Sequence, residues 1–358
     1  MIKEVHPVAC SSSKCTSSGG FSHWQAGDVL GLALMFSAAL WAIYVHYSVP
    51  VLPYDDGYIT FRYVDNLLRG RGLVYNQGEN VFGSTTPLYI FLLMAAKWFS
   101  HQPIPDLAVR LNIIPFLLCG VGTFCLVRYW SSSMLCAGIG ASVFWVSLDM
   151  LTASSGGMET FVFLALVLFT FLILEAQPPR PVWAGVLSGL AILTRPEGIL
   201  LIPIGFIIFR KSMREILKFI AWLSLALAPW VAFASMKFGT PIPMSLIAKS
   251  RGVYPLAPGD ALLMMVAKVA DWAQVETPIG YHAIFGKLNH LFAPRMMLLI
   301  FLLIVGSWAC AKYSSASGKN AWIPSLYLIL LLIMYGFGNP FIFDWYMPPV
   351  YMCILLSL

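Results

Sequence analysis

Long apolar runs and short polar breaks alternate along the chain. The runs fall at 26–48, 87–100, 107–127, 134–150, 158–174, 182–194, 198–209, 217–236, 296–311, 322–338 and 346–358. A straight membrane helix needs about 20 apolar residues. Several runs are shorter, which implies tilts, half-spans or a water-filled cavity between helices. The pattern predicts an all-α polytopic membrane protein. Two long polar loops interrupt it, at 49–86 and 237–295. Residues 1–25 contain no apolar signal core, so run 26–48 acts as its own anchor and residues 1–25 read as a disordered cytoplasmic tail. The last run stops after about 13 residues, so the transmembrane module 26–358 reads as a truncated piece of a longer protein.

Composition sharpens this. Of 358 residues, 59% are hydrophobic and only 11% charged, with a mean hydropathy of +0.78. A soluble domain carries about 25% charged residues. The net charge of +6 comes largely from short basic loops, not from a nucleic-acid patch. These loops hold Arg128; Arg180; Arg210, Lys211, Arg214 and Lys218; and Lys312 and Lys319. The positive-inside bias puts all of them in the cytoplasm. The loops at 152–160, 193–198, 237–295 and 338–349 then lie outside. The first polar loop joins them only if run 87–100 fails to cross. Its 14 residues reach about 21 Å at 1.5 Å per residue, so it reads as a helix at or dipping into the outer side.

Five cysteines, Cys119, Cys125, Cys136, Cys310 and Cys353, lie in apolar runs as small hydrophobes. Cys10 and Cys15 lack the spacing of a zinc site. No P-loop or dinucleotide fingerprint is present, so a nucleotide-sugar donor is unsupported.

The first loop opens with the adjacent pair Asp55 and Asp56, in "VLPYDDGYITFRY". One reading is a helix N-cap, with Gly70 or Gly72 as the C-terminal stop. The other is a general base, since a helix N-terminus keeps a carboxylate ionised and oriented. Arg62, about two turns on, could approach Asp55 or pair on the surface. Glu79 reads as a turn residue or an acceptor contact. Ser84, Thr85 and Thr86 precede Pro87, a favourable helix start. Glu159 follows Gly156 and Gly157 at another helix start. Arg195 and Glu197 flank Pro196 between two short runs. Arg195 either pairs internally with Glu197 or grips a phosphate bidentately. Lys249 and Arg251 are candidates for the same phosphate, or a solvated charge pair. Trp345 and Tyr346 read as belt aromatics or as a platform under a sugar ring.

The stretch "DDGYITFRYVDNLLRGRGLVYNQGENVFGSTTPLY" resembles the first extracytoplasmic loop of bacterial GT-C-fold glycosyltransferases. "SGGMETFVF", "LTRPEGILL" and "FGTPIPMSLIAKS" agree in order and spacing. The resemblance covers residues 26 to about 251 and looks closest to arabinofuranosyltransferases. It implies a GT-C-type helix bundle whose long first loop carries short helices. It implies transfer of a sugar, with inversion, from a polyprenyl-phosphate carrier to an extracytoplasmic glycan, lipid or protein acceptor. Asp55 or Asp56 would be the base, with Asp55 slightly favoured. Arg195, Lys249 and Arg251 would bind donor phosphate. Arg62, Glu79, Glu159, Trp345 and Tyr346 would contact sugar or acceptor. A divalent cation is the one cofactor left open, with Asp56 and Glu159 as its candidate ligands. Gly57 stands where the family usually has Ala, and Phe82 where Glu is common, which removes an acidic contact there. The rival classes are a membrane transporter of a lipid-linked or polar solute and an inactive assembly subunit.

Overall fold

A computed structural model describes residues 25–48, 52–246, 256–273 and 317–357, with isolated positions at 306, 309 and 312. The tail 1–24, Lys249, Arg251 and most of run 296–311 lie outside the described residues. Among the described residues the structure is helical, without strands.

The helices are α1 (Ala26–Ser48), α2 (Gly57–Leu68), α3 (Pro87–Trp98), α4 (Ile104–Leu111), α5 (Ile113–Ser131), α6 (Met134–Val146) and α7 (Leu148–Ser155). They continue as α8 (Thr160–Glu175), α9 (Pro181–Thr194), α10 (Leu201–Phe209), α11 (Met213–Phe238), α12 (Asp260–Ala273), α13 (Ile323–Gly338) and α14 (Pro348–Ser357). Short 3₁₀ turns at Pro196–Leu200 and Asp344–Tyr346 interrupt the pattern. Three apolar stretches are long enough to cross a membrane unaided: Ala26–Ser48, Ile104–Ser131 and Met213–Phe238. Run 134–150 is not one helix. It breaks at Ser147 into α6 and α7, bent by 56°.

Uniformly apolar helices cannot sort themselves by a hydrophobic face, and small residues do much of that sorting. Helices α1 and α6 cross at Gly31 and Gly138, where a Cβ on Gly138 would stand 2.0 Å from the Gly31 carbonyl oxygen. Helices α9 and α11 meet at Gly185 and Gly189 in the same way. Phe116, Phe144 and Phe161 fill the space between α5, α6 and α8.

Polar ties fix the two ends of the bundle. Lys319 Nζ donates to the carbonyls of Tyr129 and Trp130 at the end of α5. Glu175, at the end of α8, accepts from Trp130 Nε1 and from the Asn320 amide. The basic loops carrying Arg128, Arg180, Arg210 and Lys319 therefore share one end. The other end holds the first loop. Its helix α2 stops at Gly70, whose φ of +71° is the left-handed C′ geometry. Asn112, at the start of α5, donates to the Met158 carbonyl. His46, near the end of α1, bonds Val109 O and Ser154. Helix α3 leaves this end at Thr86, and the chain is back there at α4. Its 12 residues span about 18 Å, and α3 packs on α2, α4 and α9. It does not carry the chain to the basic end, as its length implied.

Candidate active site

Four sequence-distant stretches, joined by Ser245 and Leu246 from a fifth, converge on one cavity of about 310 Å³ at the first-loop end. The first is the start of α2 with the Gly83–Thr86 turn. The second is the turn before α8, the third the 3₁₀ turn after α9. The last combines the end of α13 with Trp345 and Tyr346.

Of the aspartate pair, Asp56 lines the cavity and Asp55 is exposed. Asp55 Oδ1 accepts from the Asp56 amide at 2.9 Å. One carboxylate thus orients the backbone that presents the other. Asp56 occupies the N-cap position of α2 without a side-chain capping bond. Simple capping therefore does not account for it. Beneath it Thr60, Ser84 and Thr86 join their hydroxyls in a buried chain.

Glu159 stands at the N-cap of α8 and is 3% exposed. The turn before it needs glycine. Gly157 has φ +72°, and a Cβ on Gly156 would strike the Tyr54 ring at 2.3 Å. Tyr54 N donates to Gly156 O, and Tyr89 Oη donates to Gly157 O. Burial pushes the Glu159 carboxyl above the usual carboxylate range, with Arg195 pulling it back.

Arg195 is 4% exposed and nearly saturated. Its Nε and Nη2 donate to the two oxygens of Glu197 at 3.3 and 2.9 Å. Its Nη1 donates to Thr160 Oγ1 and to the Trp345 carbonyl at 3.3 and 3.0 Å. Glu159 lies 3.5 Å away, and the Tyr346 ring lies against the guanidinium, 5.1 Å from its centroid. Tyr335 Oη donates to Glu197 at 2.7 Å. Of five guanidinium N–H groups, these contacts use four. The internal Arg195–Glu197 arrangement is the one present, and the fork is not open for a second bidentate partner.

Trp345 stacks on Phe343 at 4.5 Å with an interplanar angle of 4°, and also meets Tyr54. Lys268 donates to Asp344 and ties α12 to this turn. Both aromatics face the cavity rather than forming an outer belt.

Two predicted residues stay away. Arg62 donates to the Tyr75 carbonyl and covers its ring. It does not approach Asp55, because Tyr75 holds it on the exposed side of α2. Glu79 accepts from Asn76 at the loop surface. Phe82 is buried against Tyr63, Trp230 and Phe238, and its carbonyl accepts from the Met244 amide. It clasps the first loop to the chain beyond α11. That clasp brings Ser245 and Leu246 to the cavity wall, three residues before Lys249. Asn112, Tyr89, Thr160 and Tyr335 support the site but carried no signal in the sequence, because they sit inside apolar helices or at their ends. Among the described residues no cluster of three His, Cys, Asp or Glu side chains could hold a metal ion.

No family model matches the chain. An alignment 218 positions long is 29% identical to the terminal beta-(1->2)-arabinofuranosyltransferase of Mycobacterium tuberculosis. It covers 54% of this chain and 34% of that protein, so the chain spans about a third of its relative's length. Among solved structures the chain resembles ArnT from Cupriavidus metallidurans, crystallised bound to undecaprenyl phosphate. The TM-score is 0.60 over 91% of this chain and 59% of that one, at 14% identity. The chain has a GT-C-type fold.

Proposed function

We propose that this chain carries the active site of a membrane glycosyltransferase that uses a polyprenyl-phosphate sugar donor on the extracytoplasmic side. One observation carries the reading: Asp56 faces a cavity that also holds Glu159 and the aromatic side chains of Tyr335, Trp345 and Tyr346. In the proposed step an acceptor hydroxyl attacks the anomeric carbon of the donor sugar. Asp56 takes the hydroxyl proton as the new C–O bond forms. The bond from the anomeric carbon to the phosphate oxygen breaks, and the polyprenyl phosphate leaves with the electron pair. A single displacement inverts the anomeric centre. Asp55, through the Asp56 amide, is the positioning residue.

Three carboxylates, Asp56, Glu159 and Glu197, face one guanidinium in the described lining. A donor phosphate needs more positive charge than that. Lys249 and Arg251, shortly after Leu246 in sequence, would supply it. Asp56 and Glu159, the two candidate cation ligands, do not make a fitting donor set. Glu159 already faces the Arg195 guanidinium at 3.5 Å, and no third acidic, His or Cys side chain joins them among the described residues, so no step is routed through a metal. Trp345 and Tyr346 would stack against a sugar ring. Arabinofuranose is the sugar favoured, on the stretch shared with the mycobacterial enzyme.

The test is transfer in membranes from a polyprenyl-phosphate-linked arabinofuranose. Asp56→Asn should lose about 10²–10⁴-fold in kcat, the usual contribution of a general base, with donor binding retained. Asp55→Asn should lose less. Equal, near wild-type transfer by both variants sinks the assignment.

A further inference from the structure

A second cavity lies at the other end of the same helices, and the proposed reaction makes no use of it. Helix α8 begins at the candidate active site and ends near the second cavity, α9 and α13 begin near it and end at the site, and α10 returns to it. The 16 residues of α8 separate the two by about 24 Å. The second cavity has a volume of about 780 Å³.

Its lining is of two kinds. Arg210, Lys211, Asn320 and Trp322 contribute polar and amphipathic groups. Ile207 and Ile329 also line it, and both remain partly open on the surface, at 37% and 49% exposed. No carboxylate belongs to the described lining. Neither Arg210 nor Lys211 forms an ion pair among the described residues. The nearest buried acid, Glu175, is engaged by Trp130 and Asn320. Two helices begin and two end around the cavity, so their macrodipoles largely offset. The positive field comes from side chains. Two basic side chains beside partly exposed isoleucines, with a tryptophan in the same lining, match the chemistry of a phospholipid whose phosphate meets the cations and whose acyl chain follows the isoleucines.

We infer that this cavity binds an anionic phospholipid through Arg210 and Lys211. Two features favour a lipid over a free anion. The isoleucines that line the cavity keep exposed apolar surface, and Arg210 and Lys211 follow directly on the apolar run of α10. Bound there, the lipid would brace the junction of α10 and α13, two of the four helices that join this cavity to the active-site end. This proposal is independent of the transferase reading, because its readout is lipid binding.

The full chain in detergent would be given phosphatidylglycerol, phosphatidylcholine or inorganic phosphate, and retained lipid counted by native mass spectrometry beside thermal unfolding. Phosphatidylglycerol should be retained and should raise the midpoint, and phosphatidylcholine should bind about tenfold less. The Arg210→Gln/Lys211→Gln variant should lose that selectivity, and Arg210→Lys/Lys211→Arg should keep it. The charge-conserving variant guards against a loss that reflects misfolding alone. Inorganic phosphate that reproduces the stabilisation and displaces the lipid would overturn the lipid assignment in favour of a soluble anion. Equal retention of both lipids, or full selectivity in the double Gln variant, would overturn the site.

Discussion

Arg195 shows how one side chain can carry two readings. A buried arginine between two short apolar runs must have a partner, and Glu197 two residues on is the obvious one. The sequence also allowed a phosphate grip, because an exposed fork and a satisfied fork look alike in one dimension. In the structure Thr160 and Trp345 also take its N–H groups, and both partners lie far away in the chain. Arg195→Lys keeps the charge and loses the fork. It should lower thermal stability by about 2–3 kcal/mol, the scale of one or two charged hydrogen bonds, and reduce kcat through the displaced Trp345 and Glu159. Thermal unfolding in detergent and a transfer assay check this. Lys249→Gln should instead raise KM for the lipid donor. A larger rise in KM for Arg195→Lys than for Lys249→Gln would put the guanidinium on the phosphate. Asp56, Glu159, Trp345 and Tyr346 were all legible as polar or aromatic breaks in apolar runs. Arg62 and Glu79 belonged to the same motif and face away. A motif records which residues share a loop, and the packing of α2 on Tyr75 decides which way each one turns.

At the scale of elements, helix positions were read closely from apolar runs alone. Run 158–174 became Thr160–Glu175, and run 322–338 became Ile323–Gly338. The break in 134–150 was hidden, since no Pro or Gly marks Ser147. What bends the chain there lies elsewhere: Ser154 and Ser155 on α7 bond His46 of α1. Helix-to-helix partnering was hidden too, because a run apolar on every side has no face to read. The Gly31–Gly138 crossing is where that partnering is set. Gly138→Leu should force α1 off α6 and cost at least the 1–3 kcal/mol typical of overpacking. Gly31→Leu should do the same, and the double variant should fall well short of the sum, since both damage one contact. Thermal unfolding of the three proteins reads this directly. Additive losses would mean the two glycines act separately.

For the whole molecule, the paired ends make a prediction about sidedness. Gln77 and Lys237 lie at the active-site end, Ser132 and Lys211 at the basic end, and all but the last turn on which loops share an end rather than on charge. Single cysteines at these four positions, with native cysteines replaced, should divide under an impermeant thiol reagent in intact cells. Positions 77 and 237 should label, and 132 and 211 should be spared. Labelling at 132 with protection at 77 would invert the bundle and with it the proposed extracytoplasmic reaction.

The Arg195–Trp345 hydrogen bond spans 150 residues, and that separation has a consequence in time. A ribosome adds about 5–20 residues per second. Arg195 therefore emerges roughly 8–30 s before the backbone that completes its shell. Through that interval Glu197 is present but Tyr335, which steadies it, is not yet made. The ion pair itself is made early, with Glu159, Thr160 and Glu197 all in place, but its burial is completed only when α13 and the Trp345 turn arrive. Assembly of the site is thus the closing act of biogenesis for these residues, and a stalled chain ending near residue 330 would carry every acidic group of the cavity without a closed cavity to hold them.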